Sequence, residues 1–254
     1  MEFINLVLVG PILEMFEYPA FFLEVVFGGL MSGVMYSLVA LGFVLIFKAS
    51  GVFNFAQGVF ALFAALTLVG LMTGTMPFSL DKVLPELPAW LAIIATFIVM
   101  VGLAIAVERI VLRPLVNQDH IIMFMSTIGL AFVLEGLGDT IWGSEVKALD
   151  VGIPSGNFMI GEIQIQIFDL WAAGIAAFLV IVLAVFFQST RTGRALRAVA
   201  DDHQAALSVG IPLKNIWIIV WSVAGLVALV AGIMWGSKSG VQFSLSLIAL
   251  KALP

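Results

Sequence analysis

The sequence predicts an all-α fold, a polytopic bundle of transmembrane helices that forms a single domain over residues 1–254. Of the 254 residues, 62% are hydrophobic and only 11% are charged, and the mean hydropathy is +1.18. Soluble domains are about 45–50% apolar and about 25% charged, so the surplus apolar surface is expected to lie in lipid. The chain has no cysteine and two histidines, which excludes disulfides and thiol chemistry and disfavours a metal site.

Six apolar stretches are long enough, or nearly so, to cross a bilayer core of about 30 Å. They cover residues 23–47, 52–73, 89–107, 121–141, 170–187 and 216–236. Residues 241–254 are apolar again but stop before a span is complete. Residues 3–13 are apolar but too short to cross, so we expect either an interfacial helix or an exposed start of the first span.

Positive residues are concentrated in alternate connections between these spans. One set of connections holds Lys48, Arg109, Arg113, Arg191, Arg194, Arg197 and Lys214. The opposite set holds Lys82, Lys147 and Lys238, and it shares most of the acidic residues with the N-terminus. Because cytoplasmic loops are enriched in Lys and Arg, we expect the N-terminus outside and residues 191–212 in the cytoplasm.

Two long connections lie on the expected outer side. Residues 74–88 contain three prolines, which predicts turns. Within residues 142–169, the part at 160–168 alternates weakly between apolar and polar residues. That pattern predicts either a small hairpin or a short surface helix.

Small residues recur four positions apart in several spans, a spacing that lets helix backbones approach closely. One pair is Gly29 and Gly33, a second is Gly70 and Gly74, and a longer series is Ala224, Ala228, Gly232, Gly236 and Gly240. We favour tight packing within one subunit over contact with another subunit or a sliding contact.

Polar side chains inside the spans are candidates for function. Asn54 and Gln57 lie at the start of the second span between Gly51 and Gly58, which predicts a broken or re-entrant start. Buried amides there are explained either by an interhelical hydrogen bond or by a place beside a transport pathway. Glu135 is the one acid well inside a span, so it is expected to face the bundle interior or a wet cavity.

The charged segment 191–212 separates two long apolar stretches. Asp201 is a predicted helix N-cap, and Gln204 stands where a capping box places Glu or Gln. Gly210 stands where a left-handed C-cap is expected, and a proline follows. The predicted helix, residues 202–209, has about two turns, which is too short to be stable alone in water. It is therefore expected to pack against the membrane domain or a partner.

Several function classes lack their motifs. The sequence has no GxxxxGK[ST] phosphate loop, no GxSxG elbow and no HExxH pair. It also has no basic, aromatic-interleaved stretch that would indicate a nucleic-acid partner. We expect no catalytic residue, no metal ligand and no cofactor bound by this chain.

Four stretches resemble the permeases of branched-chain amino-acid ABC importers. The first, residues 192–212, is similar to their cytoplasmic coupling loop, whose signature is Glu-Ala-Ala followed after three residues by Gly. It reads here Gln204-Ala205-Ala206-Leu-Ser-Val-Gly210. The others are Gly33-Val-Met-Tyr36-Ser-Leu-Val-Ala-Leu-Gly42; Gly51-Val-Phe-Asn54-Phe-Ala-Gln57-Gly58; and Glu108-Arg109 … Arg113-Pro114-Leu115 with Thr127-Ile-Gly129-Leu and Trp142-Gly143. Together they cover about residues 28–254 in the family's order.

The resemblance implies a multi-pass subunit of the bacterial inner membrane that works with other proteins. Those partners are a second, related permease, an external substrate-binding protein, and two cytoplasmic ATPases that bind the ATP and dock on the coupling loops. The implied ATPase-coupling residues are Arg194, Arg197, Asp201, Asp202, Gln204, Ala205, Ala206 and Gly210. Gln204 replaces the acid of the family motif. The family continues with further membrane segments, so we expect C-terminal spans to be missing after Pro254.

The resemblance also implies a substrate class. Family members carry leucine, isoleucine and valine, and relatives carry urea, short amides and small organic acids. A pathway for an aliphatic zwitterion is expected to be mostly apolar, with few polar groups. The candidates are Asn54, Gln57, Ser126, Thr127 and Glu135.

Two rival classes remain open at the level of sequence. An ion-coupled secondary transporter would need paired acids or broken helices near mid-membrane, and among acids only Glu135 comes close. An intramembrane enzyme would need a nucleophile and a base at membrane depth, but His120 and His203 both lie in predicted cytoplasmic connections.

Overall fold

The computed structural model describes residues 10–75, 85–115, 118–161, 163–201, 206, 208–211 and 213–252. Within these ranges, five helices are long and apolar enough to cross a membrane: Pro19–Ser50, Ala89–Leu115, His120–Trp142, Ile167–Ser189 and Asn215–Ser239. A shorter apolar helix covers Gln57–Thr73. The prediction of an all-α membrane bundle is confirmed.

The regular elements are numbered here in chain order. The helices are α1 Gly10–Glu17, α2 Pro19–Ser50, α3 Gln57–Thr73, α4 Ala89–Val107, α5 His120–Trp142, α6 Ile167–Ser189, α7 Arg191–Asp201, α8 Leu213–Ser239 and α9 Ile248–Ala252. The strands are β1 Asn157–Ile160 and β2 Ile163–Gln166. A π-helical turn, Glu108–Leu112, and a 3-10 turn, Arg113–Leu115, follow α4, and a second 3-10 turn covers Phe243–Leu245.

Helix α2 is longer than the predicted span 23–47. It has 32 residues, about 48 Å at 1.5 Å per residue. Pro19 occupies its first turn, where the missing N–H is not needed. At the other end Gly51 adopts φ +69° and donates its N–H to the Phe47 carbonyl at 2.8 Å.

Helix α3 is the short, buried centre of the bundle. It begins only at Gln57, after non-helical residues 51–56, so the predicted broken start is confirmed. Its 17 residues span about 25 Å, less than a bilayer core of about 30 Å. Nearly all its side chains from Gln57 to Gly70 are buried, so other helices surround it.

Helix α8 packs against α3 through the predicted series of small residues. A Cβ at Gly232 would clash with the Ala61 carbonyl of α3, and Ala224 and Ala228 are fully buried. Gly236 lies against Leu149 and Val241 at the end of the same series. Close approach of the two backbones therefore depends on these positions.

The two GxxxG pairs behave differently from that series. Gly70 packs against the Trp142 ring, while Gly74, at φ +71°, ends α3. At Gly29 and Gly33 an added Cβ would meet no described atom within 4 Å. The described residues therefore show no close packing at this pair, and the contact predicted there stays a prediction.

The remaining helices form a shell around α3 and α8. Helix α8 contacts α2, α3 and α4, while α5 packs on α3 and α6 packs on α2. The outward faces of the shell carry large, strongly exposed apolar side chains, among them Ile98, Phe132, Phe178 and Ile181. An exposed apolar belt of this extent is expected of a surface in contact with lipid.

The two ends of α6 carry different structures. An antiparallel hairpin of β1 and β2 runs directly into its N-terminus, with the pairs Asn157↔Gln166 and Ile160↔Ile163 at its ends. The hairpin alternative for this connection is therefore confirmed, somewhat before the predicted position. At the opposite end of α6, the amphipathic helix α7 begins after a single residue.

The structure describes only part of two other predicted segments. Residues 1–9 of the short N-terminal stretch and residues 76–84 of the proline-rich connection lie outside the described ranges. The described part of the N-terminal stretch enters α1. The last apolar stretch, from residue 241, folds into the second 3-10 turn and α9.

The α3–α8 contact gives a stability prediction. Replacing Gly232→Ala places a methyl group against a fixed carbonyl, and overpacking of this kind costs about 1–3 kcal/mol. We expect a lower apparent melting temperature, measured as loss of the monodisperse peak after heating. Gly174→Ala is the control, because its Cβ would meet no described atom within 4 Å. Equal melting curves for the two variants would contradict the proposed close approach.

Candidate functional site

The non-helical residues 51–56 are held in the bundle by one side chain from α5. Thr127 accepts a hydrogen bond from the Phe55 N–H at 3.2 Å. Its single hydroxyl proton can reach the Phe53 carbonyl at 3.1 Å or the Phe124 carbonyl of its own helix at 2.8 Å. Thr127 is 1% exposed, so these bonds form away from solvent. The hydroxyl thus satisfies one backbone donor of the break, and its single proton can go either to a carbonyl of the break or to one of α5.

The two predicted amides complete the same buried cluster. Asn54 accepts the Ala56 N–H at 3.1 Å and donates to the Gln57 side-chain oxygen at 3.4 Å. Gln57 in turn donates to the Ala224 carbonyl of α8 at 3.2 Å. Its side chain occupies the space left by Gly42 of α2, where a Cβ would clash with the amide. Asn54 and Gln57 are essentially unexposed, so the cluster joins α2, α3, α5 and α8 around the break.

The cluster lies nearer to one end of the bundle. Thr127 is seven residues from the start of α5, about 10 Å along the axis, and Ala224 is eleven residues from the start of α8, about 16 Å. This end of the bundle is the one where α2 stops. His120, the first residue of α5, places its ring beside Gly51, the residue directly after α2. It is also the end from which α7 extends.

The other two predicted pathway residues do not join this cluster. Ser126 is half-buried and donates to the Met123 carbonyl of its own helix at 2.6 Å. Glu135 lies eight residues further along α5 than Thr127 and accepts a hydrogen bond from Ser246 at 3.2 Å. With Asp139 it lines a separate cavity of about 530 Å³ near the opposite end of the bundle. The structure therefore divides the predicted set into two places.

The corner between α6 and α7 is built by a cap and a close approach. Thr190 is extended, and its Oγ1 accepts the Gly193 N–H at 3.0 Å, as an N-cap does. A Cβ at Gly193 would clash with the Phe187 carbonyl, so only glycine lets α7 pass this close to the end of α6.

The corner also uses the predicted coupling arginines. Arg194 and Arg197 donate to the carbonyls of Ser189 and Phe187 at 3.3 and 2.9 Å. These carbonyls belong to the last turn of α6, which has no intrahelical donors for them and carries the negative end of the helix dipole. Both arginines lie on the exposed face of α7, opposite the buried Gly193, Leu196 and Val199.

In segment 191–212 the described helix α7 starts at Arg191, before the predicted helix 202–209, because Thr190 caps it at the corner. Asp201 is the last described residue of α7, and residues 202–205 lie outside the described ranges, so the cap at Asp201 stays a prediction. The left-handed cap at Gly210 is confirmed: φ is +82°, and the Ile211 N–H bonds to the Ala206 carbonyl at 3.0 Å, as in a Schellman motif. Ala206 is buried. Asp202, Gln204 and Ala205 lie outside the described residues.

Comparison with known proteins assigns the family. A family model described as the permease component of the branched-chain amino acid transport system matches residues 25–251. The chain belongs to this permease family. No solved structure matches the permease.

Relatives of the permease come from bacteria and an archaeon. It is 29% identical over 250 residues to the high-affinity branched-chain amino acid transport system permease protein LivH of Escherichia coli, covering 89% of this chain and 74% of that protein. It is 30% identical over 237 residues to BraD of Pseudomonas aeruginosa, covering 87% and 72%. A probable LivH of Methanocaldococcus jannaschii is 28% identical over 213 residues, covering 81% and 63%.

Two ion pairs of the permease were not predicted from its sequence. Glu108, 2% exposed, forms a two-pronged pair with Arg113, with contacts of 2.8 to 3.2 Å. The π-helical turn places residues five apart on one face, so spacing rules for α-helices miss this pair. Lys238 of α8 pairs with the buried Asp169 of α6 at 2.8 Å. Their separation of 69 residues leaves no local signal.

The Thr127 contact gives a matched test in α5. Replacing Thr127→Val keeps the shape but leaves buried backbone groups of the break unsatisfied, at a cost of about 1–3 kcal/mol. We expect a lower melting temperature and slower transport, measured on purified and reconstituted complex. Ser126→Ala, which removes only a bond within its own helix, is expected to change both much less. Thr127→Ser is expected to recover stability. A Thr127→Val variant as stable as Ser126→Ala would contradict the role of Thr127 in holding the break.

Proposed function

We propose that this permease imports branched-chain aliphatic amino acids and is driven by separate ATPase subunits. It would pair with a second, related permease and receive substrate from an external binding protein. The family assignment supports the class of transport, and relatives named for branched-chain amino acid transport support the substrate. The observation that carries the coupling mechanism is the corner where α7 is fixed to the end of α6 by Thr190, Gly193 and the two arginines.

The distribution of cations supports the orientation. Lys48, Arg109, Arg113 and the arginines of α7 lie at or just beyond the C-terminal ends of α2, α4 and α6. These three helices run in the same direction, so their cations lie at one end of the bundle. By the positive-inside rule this end faces the cytoplasm, and the N-terminus lies outside the inner membrane.

A route for mechanical coupling begins at α7. Closure of ATP-bound ATPases would push on the exposed residues Arg194, Arg197 and Gly210. Helix α7 packs on α2, α6 and α8, and α8 holds Gln57 through the Ala224 carbonyl. Movement of α7 would therefore reach the break at 51–56 through α8.

The buried cluster gives the pathway its few polar groups. Asn54, Gln57 and Thr127 are surrounded by apolar side chains, which suits an aliphatic zwitterion passing a narrow point in the cytoplasmic half. Glu135 and its 530 Å³ cavity would meet the substrate first, at the outer end. With so few polar groups on the route, discrimination among substrates would reside largely in the binding protein.

The coupling proposal is tested at Gly210. Replacing Gly210→Val strains a backbone with φ +82°, so the cap and the position of the preceding turn are lost. We expect leucine uptake by proteoliposomes of the assembled transporter to fall at least tenfold, with weaker ATPase binding. Gly152→Val is the matched control, since Gly152 has φ +81° but lies in the connection before the hairpin, at the other end.

Each outcome of that experiment has a defined meaning. Loss of uptake in the Gly210 variant alone supports the coupling surface. Intact ATPase docking and uptake in that variant would show that the coupling assignment is wrong. Leucine uptake by this permease without any ATPase would favour an ion-coupled transporter instead, and transport of urea but not leucine would overturn the substrate class.

The orientation has its own test, because the natural chain lacks cysteine. In intact cells a membrane-impermeant maleimide is expected to label Val146→Cys, at the hairpin end, but not Ala200→Cys on α7. Both positions are exposed. Labelling of the Ala200 variant before cell lysis would reverse the assigned orientation, and permeabilised cells show that both thiols react.

A further inference from the structure

The outer end of α3 is covered by the segment that follows α8, residues 240–247, which we call the strap. Gly240 comes directly after α8 at φ +79°, a backbone conformation that favours glycine. The 3-10 turn Phe243–Leu245 then packs on α3. Val241 and Leu245 are 0% and 2% exposed, so the strap lies tightly on the bundle.

The strap is joined to the connection after α5 by a reciprocal pair of backbone hydrogen bonds. The Lys147 N–H donates to the Val241 carbonyl at 3.0 Å, and the Val241 N–H donates to the Lys147 carbonyl at 2.8 Å. Ser246 has one hydroxyl proton, which can reach Glu135 of α5 at 3.2 Å or the Phe243 carbonyl at 2.7 Å. The two backbone bonds join segments outside the helices, so breaking them unfolds no helix.

The strap lies between a cavity and the contact of α3 with α5. The cavity of about 530 Å³ beside Glu135, here called the outer cavity, is lined in part by strap residues 242–244. Most of its lining residues are exposed, so it opens outward. On the inner side, a Cβ at Gly138 of α5 would lie 3.3 Å from Leu66 of α3 and 3.8 Å from Phe243. Phe243 therefore borders the outer cavity and also closes the end of the α3–α5 interface.

The face of α5 that leads from this point to the break is buried throughout. Its members are Thr127, Leu130, Leu134, Gly138 and Trp142. At the outer end the Trp142 ring lies against Gly70 and Phe63 of α3. The described residues thus close this interface to a substrate in the outer cavity, and passage requires movement at the outer end.

We propose that the strap is a gate, which moves away from Lys147 and from the α3–α5 interface to admit substrate from the outer cavity. Opening uncovers Val241, Phe243 and Leu245, and an aliphatic substrate side chain can replace the apolar contacts that they lose. The strap continues α8, which contacts α7 at the other end of the bundle, so movement of α8 reaches the gate directly. The gate rests on the proposed import function, but its opening can be measured without transport.

The reactivity of a single thiol tests the gate, because the chain has no cysteine. Val241→Cys places the thiol behind the closed strap. Ala172→Cys is the matched control, since Ala172 is similarly buried, at 1%, near the outer end of α6. Val146→Cys, exposed at the outer cavity, controls for access of the reagent. A membrane-impermeant methanethiosulfonate is added to the assembled transporter in nanodiscs, and modification of this chain is measured by mass spectrometry.

With ATP, binding protein and leucine present, we expect the thiol at position 241 to react several-fold faster than at rest, with unchanged rates at positions 172 and 146. At rest it is also expected to react faster than the thiol at position 172, because release of the strap unfolds no helix. Rates at 241 that match those at 172 in both conditions, including a parallel rise, would overturn the gate. Absence of leucine uptake in the same preparation would contradict the proposed function, whereas faster reaction at 241 at rest would still support the gate.

A reversible cross-link tests whether the strap has to move during transport. In the double variant Lys147→Cys with Val241→Cys, the thiols are on directly opposite residues, whose Cβ atoms lie about 4.5–5.5 Å apart. A short bifunctional methanethiosulfonate can join them, and we expect leucine uptake to fall at least tenfold and to return after reduction. The matched control joins Phe158→Cys to Ile165→Cys, which are also opposite, in the β1–β2 pair, and is expected to leave uptake unchanged. Full uptake with the 147–241 link in place would overturn the gate.

Discussion

Non-helical backbone at membrane depth has to find hydrogen-bond partners inside the protein, and residues 51–56 meet this constraint within one small cluster. Thr127 of α5 accepts the Phe55 N–H, the Asn54 side chain accepts the Ala56 N–H, and Gln57 connects Asn54 to the Ala224 carbonyl of α8. Because the break has these partners inside the protein, α3 can begin late and remain short. A helix too short to span the bilayer has to be enclosed by longer ones, and this accounts for the central, buried position of α3.

Helix α8 connects this centre with the surface proposed to meet the ATPases. Its small residues bring its backbone against α3, and the Ala224 carbonyl holds Gln57. At the cationic end it also contacts α7. The same helix is fixed at the other end by the Lys238–Asp169 pair. One element therefore touches the corner, the break and the outer end, which suits a part that transmits movement.

Part of the candidate site was predictable from sequence, and part was not. Amides beside glycines at the start of a span indicate a broken helix, and Asn54 and Gln57 were identified in this way. That Thr127 is their neighbour and Ser126 is not depends on the rotation of α5, which no local pattern specifies. The hydrogen bonds of Thr127 join residues that are 72 and 74 positions apart. Glu135 was identified from its charge. It lies eight residues beyond Thr127 on α5, where it lines a cavity away from the cluster.

The sequence alone determined the approximate limits of the five long apolar helices, the end that carries the cations, and the glycine cap at residue 210. Hydropathy, charge and a left-handed backbone are properties of single residues or short windows, so they can be recognised along the chain. Only the tertiary structure decided where α7 starts and which glycines contact another helix. Those outcomes depend on carbonyls, side chains and backbones that meet across the bundle, and the position of each is set by the packing of all the helices together.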